Sequence, residues 1–260
     1  MTFTELNSVE HYIIHQLTGV NLNSSDKISE TQAPYGVQWE YKSPQVLNRG
    51  VNEVLVESEL TKSLIRLNPE IKEKPELADE VIYKLRAILI SVNQVGLVKA
   101  NEEFFKWLTN EKTMPFGKNS HHVPIRLIDF ENLENNKYIV TNQFHIHHRE
   151  TKIPDVVLLI NGIPVVIGEA KTPIRPSVTW LDGAHEVHDV YENAVPQLFV
   201  PNILSFATEG KELFYGSVRC PLEFWSPWRI EDESRNIAKA LGLSEIGKEL
   251  SDFIFLFKLY

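Results

Sequence analysis

Cysteine is nearly missing from this chain. The single Cys220 excludes an intramolecular disulfide and any Cys-rich zinc module, and it suits a reducing interior. Long apolar runs are also missing. The longest, residues 156–168, is broken by Asn161, Gly162 and Pro164 and is too short to span a bilayer. No basic-then-apolar leader opens the sequence, so the reading is a soluble, cytoplasmic chain with no membrane partner. Basic side chains are the minority, 26 against 35 acidic, for a formal charge of −9. That balance disfavours a protein that coats nucleic acid nonspecifically, because phosphate neutralisation needs clustered Lys and Arg. It leaves room for a nucleic-acid enzyme, since a carboxylate metal site adds negative charge and DNA affinity can come from a partner subunit. A phosphate-binding Gly-x-x-x-x-Gly-Lys-Ser/Thr loop is missing too: Gly117-Lys118 is followed by Asn119, and Gly247-Lys248 by Glu249. ATP-driven movement is therefore not encoded here.

What remains is ordinary globular composition, 43% hydrophobic and 23% charged over 260 residues, enough to bury a core without a staple. There is no internal repeat. Leu6, Val9, Ile13 and Leu17 recur at helical steps, with Gly19 as a stop. Helices are also predicted over 52–71, ending at Pro69, over 78–92 and over 98–110. Val37, Trp39 and Tyr41 alternate like a short strand, and 111–125 reads as an irregular connection. From residue 125 the period changes. Strand-length runs occupy 124–130, 138–148, 155–160, 163–171, 198–210 and 213–218. Several are apolar at consecutive positions, which indicates a sheet buried on both faces. A helix is predicted within 179–194, and two short helices in the 231–260 tail. The class is α/β: an N-terminal helical part, then a central mixed sheet flanked by helices.

The run IPDVVLLINGIPVVIGEAK, residues 153–171, carries the chemistry. Asn161-Gly162 between two apolar strands is a strong hairpin signal. Asp155 sits at the open end on one strand, Glu169 and Lys171 on the other. Charges at the ends of apolar strands are costly to desolvate without a partner, and a divalent cation between Asp155 and Glu169 supplies one. Glu-x-Lys alone is cheap, for it occurs five times in the chain, but only Glu169/Lys171 closes a buried strand whose hairpin partner begins Pro154-Asp155. A strict two-residue loop on unbulged strands would set Asp155 opposite Gly168 and therefore on the wrong face. The metal reading thus demands an offset, either a three-residue loop or a one-residue bulge, for example with Gly162 left-handed.

In Pro154-Asp155 and Glu169-Ala170-Lys171 the chain resembles the PD-(D/E)xK nucleases, whose fold is the restriction-endonuclease-like core. More specifically, it is similar to the N-terminal nuclease domain of the R (restriction, motor) subunit of type I restriction enzymes. The likeness runs through Leu67-Asn68-Pro69, residues 96–108, 127–144, the core run itself and 226–229. It implies a nuclease domain over 1–230 and a helical linker over 231–260 leading to a motor domain absent from this chain. It further implies Mg²⁺, replaceable by Mn²⁺, on Asp155 and Glu169, with the Ala170 carbonyl and Glu10 completing the shell. Asp155, Glu169 and Lys171 would be catalytic, with Lys171 orienting water or stabilising the scissile phosphate. Implied partners are double-stranded DNA and the modification and specificity subunits, with ATP acting only through the motor. The family tends to carry Gln-x-x-x-Tyr on the next helix. Tyr191 fits, but four residues earlier stands Val187, flanked by Glu186 and His188. His147, Arg149, Lys152 and Tyr191 are the residues assigned to the DNA-approach face.

Other readings stay open. His145 and His147 share a strand face, with His148, His121 and His122 near in sequence, and a His-rich zinc hydrolase is the enzymatic alternative. Phe224, Trp225, Trp228 and Arg229 suit a base-stacking platform, or simply core or a docking surface. Phe253, Phe255 and Phe257 read as core or interface. A catalytically idle nuclease fold that serves assembly or DNA docking is the nonenzymatic option.

Overall fold

The computed structural model describes residues 9–22, 39–172, 174–175 and 177–228. The 231–260 tail with its three phenylalanines, Arg229 and Val37 lie outside the described residues.

The chain runs α1 (His11–Thr18), β1 (Trp39–Tyr41), α2 (Glu57–Leu67), α3 (Pro69–Glu73), α4 (Leu77–Val95), α5 (Leu97–Leu108), β2 (Thr113–Met114) and β3 (Val123–Pro124). It continues with β4 (Tyr138–Asn142), β5 (Ile146–His147), β6 (Thr151–Lys152), β7 (Val156–Ile160) and β8 (Ile163–Ala170). After these come α6 (Trp180–His185), a π-helical turn (Glu186–Tyr191), α7 (Glu192–Ala194), α8 (Pro196–Phe199), β9 (Leu204–Thr208), β10 (Leu213–Gly216) and β11 (Ser226–Pro227). Seven strands form one sheet in the order β1-β4-β7-β8-β9-β10-β11, with small hairpins β2-β3 and β5-β6 beside it. β1-β4 and β8-β9 are parallel and the remaining pairs antiparallel. The architecture is the expected α/β one, a mixed sheet flanked by helices.

Every residue of β8 is buried, because helices pack on both faces of the central strands and consecutive apolar residues suit that position. Since β8 and β9 are parallel, the chain must cross over between them, and α6 through α8 make that crossover. α1 buries Ile13, Ile14 and Leu17 and stops at Gly19, which is left-handed and donates its N–H to the His15 carbonyl at 2.7 Å.

Three expectations need correction. The run 198–210 is not all strand, since Leu198 and Phe199 close the helix α8 and β9 begins only at Leu204. The second helix spans 57–67 rather than 52–71, and Pro69 opens α3 at its first position instead of merely ending α2. A proline there loses no bond, because that N–H has no helical partner. Residues 125–130 are not a strand, although Ile125, Leu127 and Ile128 are buried as the pattern required. Asparagine side chains replace the neighbouring strand. Asn68 and Asn110 accept from the N–H groups of Arg126 and Leu127 at 2.8 and 3.3 Å. Asn68, Asn161 and Asn110 donate to the carbonyls of Arg126, Leu127 and Ile128 at 3.0, 2.8 and 3.2 Å. Buried backbone groups must be paired, and side-chain amides serve where no ladder reaches.

Candidate active site

The β7-β8 hairpin sets the geometry. Its two-residue turn has φ of 54° at Asn161 and 83° at Gly162, the pair of positive values that matches strand twist. Gly162 cannot be replaced without cost, because a Cβ there would stand 2.5 Å from the Val56 carbonyl oxygen and 2.9 Å from the Leu60 nitrogen. From the turn, Ile160 pairs Ile163 and Leu159 pairs Pro164. Then the register slips: Leu158 faces Val166, Val157 faces Ile167 and Val156 faces Gly168. Val165 is the extra residue of a β-bulge. It follows Pro164, which has no N–H for a ladder, and its carbonyl accepts instead from Ile203 N–H at 2.8 Å. One step beyond Val156, this register sets Asp155 opposite Glu169, on one face. The required offset is present as a bulge, with Gly162 left-handed inside a two-residue turn.

The ends of β4 and β8 and the start of β7 meet at this margin. Asp155 Oδ2 accepts the Ala170 N–H at 2.9 Å, and Oδ1 accepts Gln143 Nε2 at 3.0 Å. The same Gln143 amide donates to Glu10 Oε1 at 3.0 Å, and Asn142 Nδ2 reaches Glu10 Oε2 at 3.3 Å. Gln143 adopts a left-handed backbone, φ 48°, where β4 ends, and its N–H donates to the Asp155 carbonyl at 3.0 Å. Glu10, expected to complete a metal shell, is buried at this margin and is joined to Asp155 through one shared amide. Ala170 is fully buried, and its N–H donates to Asp155.

Lys171 Nζ lies 2.8 Å from Glu169 Oε1 and 2.5 Å from Glu186 Oε2. Tyr191 hydroxyl is 3.2 Å from Glu169 Oε2 and 3.0 Å from Glu186 Oε1. Gly183 lets α6 sit close, for a Cβ there would be 3.4 Å from Glu169 Cγ and 3.2 Å from Ala207 Cβ. Tyr191, assigned by sequence to the DNA-approach side, is buried and turns its hydroxyl inward to these carboxylates. Gln143 and Glu186 were not foreseen as site residues. Gln143 shows no sequence signal beyond ending a strand, and Glu186 stands five residues before Tyr191 where an α-helical reading looks four back.

Burial pushes the Asp155 carboxyl above its ordinary range, against the Ala170 N–H and the Lys171 charge, which pull it down. Glu169 lies well above its ordinary value, from burial first and then from the facing charge of Asp155. Burial works against the Lys171 ammonium, but Glu169 and Glu186 outweigh it and hold its pKa above the normal value. Glu186 is held below its usual value, since Lys171 outweighs burial there. Negative charge thus exceeds positive in a desolvated pocket. Two hard oxygen donors that repel each other suit a hard divalent cation, so Asp155 and Glu169 fit Mg²⁺ or Mn²⁺. Among the described residues no three His, Cys, Asp or Glu side chains already form a closed shell.

The basic residues assigned to DNA lie on or beside the β5-β6 hairpin, just before Asp155 in the chain. His147 and Arg149 are exposed, and Lys152 is half-buried, 2.8 Å from Glu150. His147 Nδ1 is 3.0 Å from Thr151 Oγ1, while His122, on the β2-β3 hairpin, is 3.1 Å from Thr113 Oγ1. The histidines therefore do not gather into a zinc site among the described residues. Of the aromatic group, Trp225 is buried and donates its indole N–H to the Cys220 carbonyl at 3.2 Å. Trp228 packs edge-on against Tyr215 at 5.0 Å, and only Phe224 stands exposed.

Among the described residues, no helix is long and apolar enough to cross a membrane. A family model described as "Type I restriction enzyme R protein N terminus" matches residues 30–224. The type I restriction enzyme HindI endonuclease subunit of Haemophilus influenzae is 28% identical over 214 residues, covering 77% of this chain and 20% of that subunit. The putative type I restriction enzyme MjaIXP endonuclease subunit of Methanocaldococcus jannaschii is 29% identical over 149 residues, 55% of this chain and 14% of the relative. A second subunit from that organism, MjaVIIIP, is 26% identical over 204 residues, covering 74% and 20%. The chain spans about a fifth or less of the length of these curated relatives.

Proposed function

Starting from a chain that belongs to the family of type I restriction enzyme R protein N termini, we propose that it is the part of the R subunit that cuts DNA, by Mg²⁺-dependent hydrolysis of phosphodiester bonds. The observation that carries this reading is the bulged register, which sets Asp155 against Glu169 with Lys171 beside them. Phosphodiester hydrolysis needs a hydroxide at neutral pH and compensation for charge growing on the phosphate. Asp155 and Glu169 would hold a hard divalent ion, which would supply Lewis acidity toward water and phosphate oxygens. The protein supplies the rest. Gln143 and the Ala170 N–H fix both oxygens of Asp155, so the carboxylate does not have to reorganise. Lys171, kept protonated by Glu169 and Glu186, offers a fixed positive charge that orients an attacking water or meets the scissile phosphate. His147, Arg149 and Lys152 present positive or neutral donors along the approach to Asp155. Tyr191 acts from beneath, holding Glu169 rather than touching DNA.

The partners in this reading are double-stranded DNA and the modification and specificity subunits, and ATP acts only through the motor part of the R subunit. The test is plasmid cleavage by the R subunit assembled with those partners, with ATP and Mg²⁺. Wild type should cut, and Lys171→Ala should lose at least about a hundredfold in rate, as for removal of a key charged group. Equal cutting by Lys171→Ala would refute the assignment.

A further inference from the structure

We propose that Glu186 is a positioning residue for Lys171 and that the π-helical turn exists to deliver it. The proposal rests on the nuclease reading above and assigns that site a member outside the Asp-Glu-Lys trio. On an α-helix, residues five apart point about 140° away from each other. Over Glu186–Tyr191 the helix is π-wound, with i→i+5 hydrogen bonding that brings residues five apart onto one face. The result is direct: Tyr191 hydroxyl is 3.0 Å from Glu186 Oε1. Val187, the residue an α-helical spacing would select, is wholly buried in the core and has no polar atom to offer.

Glu186 then closes a ring. Its Oε2 accepts from Lys171 Nζ at 2.5 Å, Lys171 also reaches Glu169 Oε1 at 2.8 Å, and Tyr191 lies between the two glutamates. The ammonium is thereby held on two sides by carboxylates that approach from different elements, β8 and the crossover. A flexible lysine pinned this way keeps one direction for its remaining N–H donor. With Glu169 alone, its four-carbon stem could rotate about a single contact. The ring also contains an imbalance. Tyr191 has one proton and faces two carboxylates, so it satisfies only one of them. A glutamine at 186 would remove the imbalance: its carbonyl accepts from Lys171, its amide donates to Tyr191, and the Tyr191 proton goes to Glu169. Glu186→Gln should therefore preserve the ring, whereas Glu186→Ala opens it.

Two measurements test this on separate samples. In the 260-residue chain without metal, ¹⁵N-labelled Lys171 should give a slowly exchanging ammonium resonance in wild type and in Glu186→Gln, and lose it in Glu186→Ala. In the assembled restriction complex with ATP and Mg²⁺, Glu186→Ala should slow cleavage about ten- to hundredfold, as expected for a lost hydrogen bond to a charged group. Glu186→Gln should recover most of that rate. Mn²⁺ affinity of the chain should change less than about threefold in either variant, because Glu186 acts on the lysine and not on the ion. Retention of both the resonance and the rate in Glu186→Ala would overturn the proposal, as would a Glu186→Gln as slow as alanine. Loss of Mn²⁺ binding in Glu186→Ala would overturn it too, making Glu186 a ligand. A wild-type complex that does not cut would refute the nuclease reading itself, and the ammonium resonance would still decide how Lys171 is held.

Discussion

At the scale of single residues, two buried glutamates show how burial and partners divide the work. Glu169 is desolvated against another carboxylate and calls for positive charge. Glu192, away from the site, is buried against Arg219, whose backbone N–H reaches both of its carboxylate oxygens at 3.3 and 3.2 Å and whose Nε lies 3.4 Å away. Burial nevertheless wins and lifts the Glu192 carboxyl to about 7. The folded chain therefore holds this proton more tightly than the unfolded chain does. Stability from this group is complete below the unfolded value of about 4.5, declines as pH rises, and is gone above about 7. Glu192→Gln removes that dependence. Urea unfolding of both proteins between pH 5 and 8 should show the variant gaining on wild type by about 1 to 3 kcal/mol as pH rises. A difference that stays constant over this range would mean that Glu192 is not protonated by burial.

At the scale of elements, the hairpin turn and the bulge act together. Asn161 and Gly162 were legible as a turn because few residues accept two consecutive positive φ values. The need for an offset was legible as well, since period-two alternation otherwise separates Asp155 from Glu169. Its location at Val165 was not legible: the bulge depends on Pro164 lacking an N–H and on Ile203 arriving from a distant strand. The π-turn was invisible for a similar reason, because nothing local distinguishes Glu186–Tyr191 from an α-helix. Residues 125–130 show the converse failure. The apolar run there marked burial at Ile125, Leu127 and Ile128 but not at Phe130, and asparagines far away in sequence took the part of a strand. The hairpin tip also docks on α2, with Val56 N–H donating to the Gly162 carbonyl at 2.8 Å. Gly162→Ala combines a left-handed alanine with contact against Val56 and Leu60 backbone, and should cost about 2 to 3 kcal/mol. Chemical denaturation reads this directly. A loss under about 0.5 kcal/mol would show that the tip can move away from α2.

At the scale of the whole molecule, the formal charge of −9 limits what the chain does alone. If His147, Arg149 and Lys152 form its approach to DNA, they offer contact to only a few phosphates. Binding of the isolated chain to duplex DNA should thus be weak, with a log–log salt slope of about −2 to −3. Arg149→Ala should make that slope shallower by about one. An unchanged slope in that variant would place the DNA path elsewhere. The sheet class followed from the strand-like runs. The joining of β4, β7 and β8 at one margin, with Glu10 arriving from the N-cap of α1, required the tertiary fold.

The central claim is that Asp155 and Glu169, opposed across a bulged hairpin, hold one hard divalent ion. Anomalous diffraction from crystals soaked in Mn²⁺ tests it most directly. A single strong peak is expected between the Asp155 and Glu169 carboxylates, within about 2.0–2.4 Å of an oxygen from each, and no such peak in Asp155→Ala. Manganese bound elsewhere, with these two carboxylates facing separate surroundings, would contradict it.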